Sequence, residues 1–139
     1  MKTYQRTDIE KKSIKKKLAS KLKKRPEILF GYIHGSFLDG AWFRDIDLAV
    51  YLLEDENYSE DTYHYEHKLS RELENFISLP VDIKILNNAP LSFCYQVSKG
   101  EVLTSRNEDI RTDFLERTWL LYLDLKPIRE EYYQELLKE

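Results

Sequence analysis

The segment Asp45-Ile46-Asp47-Leu48-Ala49-Val50 sets two carboxylates two residues apart in a run that otherwise reads as a strand. Residues i and i+2 of a strand project from one face, roughly 6–7 Å apart along it. Ile46, Leu48 and Val50 then turn to the opposite face and a core. Neighbouring carboxylates repel unless a cation neutralises them. A hard dication such as Mg²⁺ does so, taking one or two carboxylates plus phosphate oxygens. Asp82, in Val81-Asp82-Ile83-Lys84-Ile85-Leu86, offers the same device on another strand. With those strands adjacent, three carboxylates converge. That is the inventory for two metals about 3.5–4 Å apart, clamping the attacking and leaving oxygens of a phosphoryl or nucleotidyl transfer.

Taken singly, each aspartate reads as a solvated strand-edge residue; together, Asp45, Asp47 and Asp82 read as catalytic metal ligands. Lys84 shares Asp82's face and is placed to meet a phosphate. Upstream, Gly35-Ser36 closes an apolar run. A glycine lets backbone approach a phosphate closely, and the Ser36 hydroxyl can donate to it. A Gly-Ser pair alone is most often a plain turn; its place before Asp-x-Asp gives it weight.

The elements that must position these residues follow from periodicity. Ile14, Leu18 and Leu22 recur every fourth residue over positions 8–24, a narrow apolar stripe on a basic helix that Pro26 stops. Positions 28–33 and 46–52 read as strands, joined by a turn containing Gly40 and followed by an acidic loop at 54–58. Ser59 is expected to cap a helix to Ile77 with Tyr65, Leu69, Leu73 and Phe76 on one face. Positions 81–86 form a third strand. Asn88 and Pro90 then read as the cap and first turn of a short helix closed by Gly100. Val102-Leu103-Thr104 reads as a hairpin arm or edge strand. Asn107 opens a helix carrying Ile110, Phe114, Leu121 and Leu125; Pro127 interrupts it, and a tyrosine-rich helix spans 128–137. The class is α/β or α+β: a small mixed sheet packed by helices, with further helices at the C-terminus.

The chain has 139 residues, the size of one domain, and no linker or repeat divides it, so residues 1–139 are expected to fold as a single unit. Within it, residues 1–25 form the basic helix and residues 107–139 the C-terminal helices. No apolar stretch reaches the roughly 20 residues needed to span a bilayer. The Lys-rich start has no secretory h-region. One cysteine, Cys94, allows no internal disulfide and suits a reducing cytoplasm. Net charge is −3, with roughly half the basic residues ahead of Pro26. Over such an acidic body, direct nucleic-acid binding is not expected, and the lysines of the first helix read as a solvated face. His64 and His67 read as a surface pair, His34 as a packed neighbour of the site, and Cys94 as buried filler.

Gly35-Ser36-Phe37-Leu38-Asp39-Gly40 followed by Arg44-Asp45-Ile46-Asp47 resembles the minimal nucleotidyltransferases of the DNA polymerase β superfamily. Val81-Asp82 leading to Leu86-Asn87, then Gly100-Glu101-Val102-Leu103, and Tyr122-Leu123-Asp124 with Tyr132-Tyr133, is similar to their MntA-type antitoxin subgroup. The resemblance covers most of the chain after the first helix. It implies a polymerase β palm-like fold and ATP held with two Mg²⁺, the triphosphate near Gly35 and Ser36. It implies transfer of AMP to a tyrosine of a partner HEPN toxin, an RNase silenced by that attachment. Asp45 and Asp47 would hold both ions, and Asp82 the one that activates the acceptor. In two places the pattern departs. Asp39 stands where the family usually has a basic residue, and Arg44 where a small polar one is common. Losing a cation and gaining an anion near a triphosphate should weaken nucleotide binding unless Arg44 or Lys84 substitutes.

Phe114, Leu115, Trp119, Leu120, Leu121, Tyr122 and Leu123 put apolar side chains on more than one face of the late helices. With Tyr132 and Tyr133, they are expected to dock a helical partner or a second copy of the chain. Two other functions fit the motifs: an antitoxin that neutralises by binding with weak catalysis, and a nucleotidyltransferase acting on a small-molecule hydroxyl.

Overall fold

The computed structural model describes residues 2–54 and 61–124, together with residues 131, 134, 135 and 137. Helix α1 (Asp8–Lys23) begins at a capping box. Thr7 Oγ1 accepts from Glu10 N (3.2 Å) and Glu10 Oε1 from Thr7 N (2.9 Å). Then come β1 (Ile28–His34), the one-turn helix α2 (Ser36–Asp39), β2 (Ile46–Leu52) and α3 (Thr62–Ile77). The order continues with β3 (Val81–Ile85), α4 (Leu91–Ser98), β4 (Glu101–Ser105) and α5 (Glu108–Asp124).

The four strands form one mixed sheet in the order β3-β2-β1-β4. Strand β1 is antiparallel to both β2 and β4, whereas β2 and β3 are parallel, joined by the crossover through α3. Helices α1 and α3 cover one face. Leu18, Leu22, Leu69 and Leu73 pack there against Ile33, Ile46, Leu48, Val50 and Ile83. Helices α4 and α5 cover the other, where Cys94, Val97 and Phe114 meet Phe30, Tyr32, Ala49 and Leu86. The expected small mixed sheet with packed helices is present.

Strand β3 lies at the sheet edge, and its outward amides would be unpaired. Helix α3 satisfies them with one row of side chains: Glu74 receives Val81 N, Ser70 receives Ile83 N, and Glu66 receives Ile85 N. Those three bonds fix the strand that carries Asp82.

Several expectations are corrected at the element ends. Ser59 lies outside the described residues, and the cap of α3 is Asp61, which accepts from His64 N at 2.8 Å. Phe76 is exposed rather than inward. Helix α4 starts only at Leu91, with Pro90 in the cap position and Asn88 in the preceding turn. Of the two forms expected for residues 102–104, the edge strand is the one present, paired with β1. Asn107 does open α5, its Oδ1 accepting from Ile110 N at 3.1 Å. Along α5, however, Phe114 and Thr118 turn inward, leaving Leu121 52% exposed. Leu125, Pro127, Tyr132 and Tyr133 lie outside the described residues, as does most of the acidic loop.

Candidate active site

The β-ladder registers assemble the site. In β1 and β2 His34 pairs with Asp47, and in β2 and β3 Asp47 pairs with Asp82. Directly paired residues share a face, so His34, Asp47 and Asp82 form one row across three strands. They share the face covered by α4 and α5. The next row is Tyr32, Ala49 and Lys84. Ile46, Leu48 and Val50 point the other way and are fully buried.

Asp45 stands in the bend before β2, not within the strand, because pairing starts only where Ile46 N donates to Pro80 O (2.9 Å). Its carboxyl still reaches Asp47. Burial pushes the Asp47 pKa up to about 7; the charges of Asp45 and Asp82 add to the shift, as does a hydrogen bond with Asp45. Asp47 is thus the member that feels both other carboxylates. Asp82 leans to Lys84, with Oδ1 3.9 Å from Nζ.

Oxygen-only donors crowded on one half-buried spot fit a hard dication, which would relieve the repulsion. As they stand, no three carboxylate, imidazole or thiol groups among the described residues close tightly enough to form a metal shell. The carboxylates gather oxygen donors on one side of the sheet without forming a closed cage.

Gly35 follows β1 and precedes α2 with φ at 83°, a left-handed conformation that favours glycine. A β-carbon there would collide with Asp47 Oδ2. The Gly-Ser turn therefore lies directly against the central carboxylate. Ser36 is exposed in the first position of α2. The turn closes at Gly40, whose N–H donates to Ser36 O at 2.8 Å. Arg44 is exposed in the bend next to Asp45. The structure thus brings Asp45, Asp47, Asp82, Gly35 and Lys84 together and leaves Ser36 and Arg44 at the rim.

His34 packs edge-on against Phe93 of α4, with centroids 5.6 Å apart. Its buried Nε2 has no hydrogen-bond partner. Burial holds its pKa below the ordinary imidazole value, against the opposing charge of Asp82. It is the packed neighbour that the sequence suggested. His64 and His67 are exposed on α3, and Cys94 is buried filler.

Two features of the site were not legible beforehand. One is α2 itself, four residues with no helical periodicity. The other is Lys11 of α1, read as part of a solvated face; its Nζ donates to Gly40 O at 3.2 Å and lies 5.3 Å from the Phe37 ring centroid. A lysine three residues before Ile14 gives no sequence signal of such a reach.

The family model described as polymerase beta, nucleotidyltransferase matches residues 16–109, well over half of the chain. Among solved structures, a chain from the complex of tri-AMPylated Shewanella oneidensis HEPN toxin with MNT antitoxin is 22% identical, with a TM-score of 0.63. The match covers 91% of this chain and 98% of that one. A chain of the MntA–HepT toxin–antitoxin structure is 21% identical over 91% and 98%, also with a TM-score of 0.63. A chain of a toxin–antitoxin complex with AMP-PNP is 24% identical over 88% and 98%, again with a TM-score of 0.63. These likenesses carry the fold. No curated protein sequence matches the chain.

Proposed function

The chain belongs to the polymerase beta nucleotidyltransferase family, and from that premise we propose that it transfers AMP from ATP to a tyrosine of a partner HEPN-family RNase, acting as its antitoxin. The observation that carries the reading is the row of Asp47 and Asp82 with Asp45 beside it, backed against Gly35. The acceptor class is supported by the S. oneidensis neighbour, whose HEPN toxin is tri-AMPylated in complex with an MNT antitoxin. The nucleotide is supported by the neighbour solved with AMP-PNP.

Asp45 and Asp47 would hold two Mg²⁺ and Asp82 one of them; bound there, the ions supply charge stabilisation at the attacking and leaving oxygens. The chain's own groups do the rest. Gly35 lets the backbone approach the triphosphate, and the Ser36 hydroxyl donates to it. Lys84 and Arg44 supply positive charge. The tyrosine oxygen forms a bond to the α-phosphorus, the bond to pyrophosphate breaks, and the phenolic proton passes to Asp82. The partner docks on α5, where Trp119, Leu120, Leu121 and Leu123 are exposed in succession. Among the described residues, no helix is long and apolar enough to cross a membrane.

The test is transfer of α-labelled ATP, with Mg²⁺, onto the product of the neighbouring gene. Wild type labels the partner, and Asp45→Asn/Asp47→Asn lowers the rate by at least about 10³-fold. Absent labelling, with both versions binding the partner tightly, would leave an antitoxin that works by binding alone. Asp39, exposed at the end of α2, is the residue that favours this second reading.

A further inference from the structure

The six-residue turn from Gly35 to Gly40 connects the carboxylate row to the rest of the nucleotide site, and its own side chains bring a negative charge, Asp39, and no positive one. A nucleoside triphosphate laid between the row and this turn would face Asp39 and three more carboxylates. Of the cations nearby, Lys84 is engaged with Asp82 and Arg44 is exposed at the rim. Lys11 arrives from outside the turn altogether. Its ammonium is anchored at the closing glycine by the bond to Gly40 O, over the Phe37 ring. Phe37 is itself completely buried and packed edge-on against Phe43, so the platform under the ammonium is rigid.

Three donors sit on an ammonium, and the Gly40 carbonyl takes one. Among the described residues no carboxylate lies within salt-bridge distance of Lys11, although Lys15, one turn later, pairs with Glu101 at 2.8 Å. Lys11 is only partly buried, so its two remaining donors are open to water or to a phosphate oxygen that replaces it.

We infer that Lys11 adds a cation to the triphosphate site beside Lys84 and Arg44, donating to the distal phosphates of the nucleotide from the neighbouring helix in place of a basic side chain on the turn. The assignment rests on the nucleotidyltransferase reading and deepens it. A purely structural role is the competing account, since a lysine at the last carbonyls of a helix also caps it.

The experiment uses the full chain with Mg²⁺ and measures binding of AMP-PNP and of AMP by calorimetry. Lys11→Met keeps the aliphatic stem over Phe37 without the charge, and Lys11→Gln keeps a donor for Gly40 without the charge. Both are expected to bind AMP-PNP about 10- to 100-fold more weakly, the scale of a lost charge-assisted hydrogen bond. AMP binding stays within about twofold, because AMP lacks the distal phosphates, and Lys11→Arg retains AMP-PNP affinity. Equal weakening of AMP-PNP and AMP, or full AMP-PNP affinity in Lys11→Gln, overturns the assignment. Wild type that binds no AMP-PNP overturns the nucleotide reading and the role of Lys11 with it. Wild type that binds alongside an equally competent Lys11→Met overturns only the latter.

Discussion

One face of the sheet has two ends of opposite character. At one, Phe30 stacks on Tyr51 with centroids 5.0 Å apart and meets Phe114 of α5 at 5.3 Å. At the other stand His34 and Asp47 on the same two strands, with Asp82 beside them on β3. The backbone hydrogen bonding is continuous between them, and only the side chains and their cover change. Helices α4 and α5 seal the aromatic end, and Phe93 is the ring of α4 that touches His34. The aromatic end is stabilised by removal of apolar surface from water. The acidic end crowds three carboxylates against a single close cation, Lys84 beside Asp82 at 3.9 Å, which is what a site awaiting a cationic ligand requires.

Truncation should separate the two ends most sharply. Phe30 is fully buried, and Phe30→Ala is expected to cost about 3–5 kcal/mol, lost transfer free energy plus a cavity. Denaturant unfolding reads this directly. Asp47→Asn removes no packing and one half-buried carboxyl crowded by two others, so it should leave the metal-free protein at least as stable while abolishing transfer. A destabilised Asp47→Asn would show that the row is a structural ion cluster and erase the contrast.

Gly35→Ala probes the acidic end by shape alone. The added methyl meets Asp47 Oδ2, and φ of 83° is unfavourable for alanine. Strain of about 1–3 kcal/mol is expected, together with weaker AMP-PNP binding because the carboxylate must shift. The same substitution at Gly31, at φ compatible with any residue, meets Leu22 at 3.1 Å, Val50 at 3.6 Å and the Ala49 carbonyl at 3.7 Å, and no carboxylate. It should change stability without changing nucleotide affinity. Equal effects on affinity at both glycines would mean that Gly35 has no special relation to the site.

How far these two ends could be seen in the sequence depends on what each required. Asp47 and Asp82 announce themselves because strand alternation fixes their face, and the apolar residues between them fix the core side. Their adjacency follows once α3 is recognised as a crossover, since such connections place the flanking strands in parallel. Asp45 is misplaced by alternation alone, because the strand begins one residue later, at Ile46. Lys11 is invisible for a different reason: its role comes from the packing of α1 beside α2, 29 residues apart in sequence at the hydrogen bond it makes. Thr118 shows the same limit on α5. A threonine takes the inward position one turn after Phe114, and the larger Leu121 is left outside, a choice made by the shape of the cover and not by hydrophobicity.

The smallest expected effect tests the acidic end by titration. In the folded, metal-free protein Asp47 titrates near 7, whereas in the unfolded chain it returns to the ordinary value near 3.8. Between those values the folded state holds a proton that the unfolded state has released. Stability therefore falls as pH rises from about 4 to about 7 and is level above, because the proton bound only by the folded state is progressively lost. Since the carboxyl is only about half buried, solvent screening reduces the effect to on the order of 1 kcal/mol, or about 2–4 °C in melting temperature. His34, held below its ordinary value by burial, pulls the other way as pH rises toward that ordinary value. The informative quantity is thus the difference between wild type and Asp47→Asn melted side by side in chelator across that range. Wild type should lose ground to the variant as pH rises. With Mg²⁺ present the gap should narrow, because metal binding displaces the proton and repays the ionisation. A gap that is constant with pH would mean that Asp47 is ionised throughout, and that the acidic end is solvated like any other part of the surface.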